Sequence, residues 1–114
     1  YPLRRQRQMC IRDSFRGEKF LLKELTINQK SSISLQKHHH RSEHWTITAG
    51  KPKITIGKKI TFKNINESVF IPKGSIHRIE NIYNKPVKII EAQLGNILKE
   101  TDIVRYKDIY GRIK

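Results

Sequence analysis

QKHHHRSEHW, Gln36–Trp45, packs four His, a Glu and a Gln into ten residues. Further along, PKGSIHRIEN (Pro72–Asn81) adds one more His behind a Pro-x-Gly turn. Residues two apart on a strand point to the same side. Gln36, His38 and His40 therefore share one face. Past a turn at Arg41-Ser42, Glu43, Trp45 and Ile47 share a face of the next strand. Polar groups aimed into a barrel are costly unless something satisfies them, and a divalent ion does so. The expected ligands are Gln36, His38, Glu43 and His77. A register using His38 and His40 leaves only two residues before Glu43, so His40 is held as a reserve ligand. Imidazole, carboxylate and amide oxygen suit Zn²⁺, and also Fe²⁺, Mn²⁺, Co²⁺ or Ni²⁺. A His triplet alone occurs equally as a surface cluster; the second stretch is what favours ligation.

Working outward, 114 residues suffice for one domain with a real core. No stretch approaches the ~18–20 apolar residues of a membrane span, and the N-terminus lacks the apolar centre of a signal peptide. A single Cys10 excludes an internal disulfide. A cytoplasmic location is expected, with no membrane partner. The net charge of +14 favours anionic partners. Its fifteen Lys are scattered along the chain and form no long block, which points to a solvated surface rather than a nucleic-acid site. Residues 1–14, YPLRRQRQMCIRDS, hold four Arg and no Lys and resemble translated read-through of a sequencing adapter. They are expected to be a non-native or disordered basic segment, with the domain running over 15–114.

From Phe15 the chain reads as β. KFLLKELTI, SISLQKHHH, HWTITAG, KPKITIG, KKITF, SVFIP, HRIENIY and KPVKIIEAQLG give seven or eight short strands, the mark of a sandwich or barrel. The tail, ETDIVRYKDIYGRIK, reads as a helical turn or irregular closing segment. Trp45, Phe62 and Phe70 are expected in the core, and His44, out of phase with Glu43, in a structural role.

The spacing of these motifs resembles the cupin superfamily. Its first motif, G-x5-H-x-H-x4-E-x6-G, falls on Lys30, Gln36, His38, Glu43 and Gly50. Its second, G-x5-P-x-G-x2-H-x3-N, falls on Asn66, Pro72, Gly74, His77 and Asn81. Two glycines are replaced. Asn66 tolerates a left-handed backbone, whereas Lys30 implies a rebuilt or slightly strained turn. Gln36 stands where most cupins have their first His, and Gln-x-His-x4-Glu with a distant His resembles the zinc-dependent phosphomannose isomerases.

LQKHHHRSEHW, FIPKGSIHRIEN, IIEAQLG and DIVRYKDIYGR resemble more closely the C-terminal cupin domain of type II mannose-6-phosphate isomerase/mannose-1-phosphate guanylyltransferase, over about residues 15–112. The resemblance implies an all-β fold, an antiparallel double-stranded β-helix or jelly-roll barrel. It also implies Zn²⁺ and interconversion of mannose 6-phosphate and fructose 6-phosphate in GDP-mannose and polysaccharide biosynthesis. The family's larger N-terminal nucleotidyltransferase domain is absent, as is its Arg-Pro-Trp-Gly stretch before Phe15, so a fragment of a bifunctional protein is expected. Ile97 and Thr101 replace an expected Tyr and Asp.

Aldose–ketose isomerisation needs a base, oxyanion stabilisation and a clamp on the remote phosphate. Glu91 is the expected base, sharing a face with substrate-binding Gln93; Glu80 is a weaker alternative. Arg105 and Arg112 are the first candidates for the phosphate, through their planar forks, with Arg112 taken as catalytic and Lys37, Arg41 and Lys73 behind. A homodimer through edge strands is a further expectation. The alternatives are a non-catalytic sugar-phosphate module and another metal-dependent cupin enzyme, such as a nucleotide-sugar epimerase.

Overall fold

Alternation of apolar and polar residues builds twelve strands in the computed structural model, which describes residues 3–5, 9–99 and 101–106. In chain order they are β1 (Leu3–Arg5), β2 (Met9–Arg16), β3 (Phe20–Ile27), β4 (Ser31–Ser32), β5 (Gln36–Lys37) and β6 (Ser42–Ala49). Then come β7 (Lys53–Ile56), β8 (Lys59–Phe62), β9 (Ser68–Ile71), β10 (His77–Asn81), β11 (Val87–Leu94) and β12 (Val104–Arg105). All pairings are antiparallel. One sheet runs β1-β2-β3-β11-β6-β9; the other runs β12-β5-β10-β7-β8, with β4 also on β10. No helix occurs among the described residues, so none is long and apolar enough to cross a membrane.

Register decides which end of the barrel is greasy and which is chemical. On the inner face of the first sheet, Val87 pairs with Ile27, and Ile89 with Leu25 and Ile47. Two residues further, Glu91 pairs with Lys23 and Trp45, and Gln93 with Leu21 and Glu43. The apolar rows, with Ile54, Ile71 and Ile79 from neighbouring strands, form the core. Each fully buried Ile there contributes about 1.5–3 kcal/mol. This end holds the fold, which leaves the polar rows at the other end available for chemistry.

Both replaced glycines adopt the left-handed backbone, Lys30 at φ 57° and Asn66 at φ 76°. The Lys30 turn is held in place by its neighbours. Its amide donates to the Tyr83 carbonyl, and buried Asn81 donates through Nδ2 to the carbonyls of Ile27, Asn28 and Lys85.

Several expectations need correction. Residues 9–14, set aside as foreign or disordered, lie in β2, where backbone groups complete the free edge of β3. The tail contributes a strand, β12, because β5 also offers an open edge. Phe62 and Phe70 are about half exposed rather than in the core. Phe70 is in register with His44 on the outer face and stacks on it, the ring centroids 4.8 Å apart.

Candidate metal centre

His38, Glu43 and His77 come together at the polar end, all buried, with one potential ligand atom from each within 4.8 Å of the others. Three different elements deliver them. Glu43 faces inward from β6, and His77 opens β10 directly opposite Gln36 of β5. His38 follows β5, where its carbonyl accepts from the Gly74 amide, so the Pro-x-Gly turn before His77 also fixes the His38 backbone. Gln36 is buried at the same cavity, its Nε2 donating to the Ser34 carbonyl.

Both imidazoles are held in the tautomer that ligation needs. Nδ1–H of His38 donates to the Asp102 carbonyl at 2.6 Å, and Nδ1–H of His77 to the Ser75 carbonyl at 3.1 Å. Each ring therefore keeps a bare lone pair on Nε2. Burial pulls the pKa of His38 down to about 4 and lowers that of His77, so both are neutral near pH 7. His38 Nε2 stands 3.2 Å from Glu43 Oε2, close to the ~3.4 Å between ligands of a tetrahedral ion with bonds near ~2.1 Å. This donor set fits a divalent ion. The same lone pairs now accept from Arg41, whose Nε donates to Glu43 Oε2 at 2.9 Å and whose Nη2 donates to His38 Nε2 at 3.1 Å. An ion would take over these two contacts.

The centre opens into a cavity of about 360 Å³, within the range of small-ligand sites. Glu91 and Gln93 line it, buried, as their shared face on β11 implies. The Trp45 indole N–H is shared between Glu43 Oε1 at 3.0 Å and Glu91 Oε1 at 3.1 Å. Trp45 is thus core, as expected, and also the link between two carboxylates. Burial and then the Glu43 charge push the Glu91 carboxyl up, while the Gln93 amide and Lys23 draw it down. Arg105 also borders the cavity; it is exposed, and its Nη1 donates to Ser34 Oγ at 3.5 Å.

Other expected residues lie elsewhere. His40 is exposed, its Nδ1 3.4 Å from Asp102, because the chain has left the strand and the two-residue alternation no longer applies. Lys37 alternates away from Gln36, and Lys73 is exposed in the turn; neither lines the cavity. Glu80 pairs with Arg78 and Lys53 outside it. Arg112 falls outside the described residues.

Two residues went unread in the sequence. Lys23 lines the cavity from β3, and its signal was a lone charge in the inward phase of FLLKELTI. Asp102 gives its carbonyl to His38 and its carboxylate to the His39 and His40 amides, both at 2.9 Å. Sixty-four residues separate it from His38, and nothing local announces that contact. Burial pushes the Asp102 carboxyl up, but those amides and the His40 ring outweigh it and hold it below its ordinary value.

The family model described as mannose-6-phosphate isomerase C-terminal matches residues 11–108. The chain belongs to this family. The match begins within β2. Among curated relatives, xanthan biosynthesis protein XanB of Xanthomonas campestris is 42% identical over 96 residues, covering 84% of this chain and 21% of XanB. Mannose-1-phosphate guanylyltransferase ManC of Salmonella typhimurium is 40% identical over 97 residues, covering 85% and 20%. Alginate biosynthesis protein AlgA of Pseudomonas aeruginosa is 42% identical over 96 residues, covering 84% and 20%. The chain spans about a fifth of the length of these curated relatives. Among solved structures, oxalate decarboxylase of Bacillus subtilis superposes with a TM-score of 0.83 at 14% identity, covering 95% of this chain and 30% of that one. The cupin domain of Schizosaccharomyces pombe Cnp3 gives 0.76 at 18% identity, covering 83% and 69%. These likenesses show the cupin fold and carry no statement about the reaction.

Proposed function

We propose that this member of the mannose-6-phosphate isomerase C-terminal family interconverts mannose 6-phosphate and fructose 6-phosphate. In this reading it is a zinc-dependent cytoplasmic domain, one part of a longer isomerase/guanylyltransferase serving GDP-mannose and polysaccharide biosynthesis. The observation that carries it is one cavity holding both a His38–Glu43–His77 ligand cluster and a buried carboxyl, Glu91, raised above its ordinary range. A base whose pKa approaches the working pH is what removal of a sugar C–H proton requires. Arg105, at the exposed side of the cavity beside Ser34, takes the phosphate. Gln93 orients the Glu91 carboxylate through its amide N–H. A zinc ion held by His38, Glu43, His77 and Gln36 would supply polarisation of the sugar oxygens.

Turnover of mannose 6-phosphate, measured after zinc loading and again after chelation, tests the reading. Activity that chelation removes and zinc restores supports it; chelator-resistant turnover, or none after zinc loading, overturns it. Because the chain spans about a fifth of its relatives, a second reading is a non-catalytic sugar-phosphate module. Mannose 6-phosphate binding without turnover would favour that one.

A further inference from the structure

The inward stripe of β3 has one break. Leu21, Leu25 and Ile27 are the residues its alternation demands, yet Lys23 stands among them on the same face, buried. Burying an ammonium is costly unless carboxylates or a ligand offset it. A Lys one position along would have faced outward. The ladder supplies an offset, because Lys23 is the cross-strand neighbour of Glu91. Lys23 sits two strands from the Glu43 strand, about 10 Å by usual strand spacing. It therefore enters the cavity on the far side of Glu91 from the ligand cluster.

A second, independent observation comes from the adjoining row. Gln93 is 1% exposed and lines the same cavity. Its Nε2 donates to Glu91, which fixes the direction of the amide, and its Oε1 has no hydrogen-bond partner among the described residues. An unsatisfied buried acceptor is destabilising, and a ligand hydroxyl would relieve it. A cation and an open acceptor thus flank one carboxylate. That arrangement suits the adjacent oxygens of a polyol, one gaining negative charge and another keeping its proton.

We propose that Lys23 is a catalytic residue of the isomerisation, contacting the oxygens on the two carbons between which the proton moves, while Gln93 Oε1 accepts from a neighbouring sugar hydroxyl. The inference rests on the isomerase reading. Glu91 takes the proton from C2 of the open-chain aldose. The C–H pair becomes the C1–C2 double bond, the carbonyl π pair moves to O1, and Lys23 gives O1 a proton. In the second half Lys23 takes the proton of the O2 hydroxyl as the C2 carbonyl forms. The double-bond pair then takes the proton from Glu91 at C1. Both side chains end as they began, and no other reactant is consumed.

The test uses zinc-loaded full chain with Lys23→Gln, Lys23→Ala and Lys23→Arg, following mannose 6-phosphate turnover, zinc content and melting temperature. Arg keeps the charge beside Glu91 but does not give up a proton, so Lys23→Arg holds the fold if the neutral variants do not. Expected are wild-type zinc content, a kcat lowered at least ~100-fold in each variant, KM within about threefold, and partial rescue of Lys23→Ala by added methylamine. A folded Lys23→Arg with kcat within threefold of wild type makes Lys23 a structural cation and overturns the inference, leaving the isomerase reading intact. A wild-type chain without turnover removes both.

Discussion

Asp102→Ala removes the side chain that ties the tail to the ligand loop. Two amide–carboxylate bonds disappear, from His39 N and His40 N, both 2.9 Å. Bonds to a charged partner contribute about 1.5–3 kcal/mol each. Even at the low end the two sum to about 3 kcal/mol; the exposed His39 and His40 recover part of that from water, so the net loss is about 2 kcal/mol. For a domain of this size that lowers the melting temperature by about 8 °C. The Asp102 carbonyl, which holds His38 in its ligating tautomer, loses its anchor at the same time. Disturbing such a partner weakens metal binding about 10–100-fold. Thermal melts of the metal-free protein and zinc titration against a competing chelator measure the two effects. The pH dependence follows from the lowered Asp102 pKa. Stabilisation is fully present above the unfolded value near ~3.9 and is lost as pH falls through the lower folded value. The gap between wild type and variant should therefore stay constant from pH 8 to 5 and close only in strong acid. An Asp102→Ala protein with unchanged melting temperature and zinc affinity within twofold would refute the reasoning.

Three other outcomes follow from the geometry. Gly95→Ala would drive a Cβ into the His40 carbonyl oxygen and place it 3.1 Å from Arg41 Cα; calorimetry should show a loss of about 1–3 kcal/mol, with weaker zinc binding because the His38–His40 loop is displaced. Glu91→Gln should melt higher than wild type at pH 8 and equally at pH 4, while kcat falls by about 10²–10⁴-fold. The sign follows from its raised pKa: above the ordinary glutamate value the folded chain retains a proton that the unfolded chain has released, so ionisation costs stability as pH rises. Trp45→Phe keeps an aromatic ring, though a smaller one, and deletes the N–H shared by Glu43 and Glu91; equilibrium unfolding should register a loss of at least about 1–3 kcal/mol.

Sequence alone reached the fold and the side chains of the His38–Glu43–His77 cluster, because both are written in local periods. Alternation places Glu43 inward and His44 outward, and a Pro-x-Gly turn precedes His77; these are short-range facts that survive without coordinates. The left-handed backbone at Asn66 was legible for the same reason; at Lys30 the expectation was a rebuilt or slightly strained turn, and the backbone there is left-handed too. Where the strand gives way to a loop the period stops informing, and His40, two residues past His38, leaves the site for the surface. Only tertiary structure could choose among the scattered cations. Arg105 borders the cavity while Lys37 and Lys73 do not, and Lys23, unremarked in its strand, gains meaning only beside Glu91. The contacts from Asp102 to the His38–His40 loop cross more than sixty residues. No local pattern encodes that distance; it is set by where the antiparallel ladders bring the tail back across the mouth of the barrel.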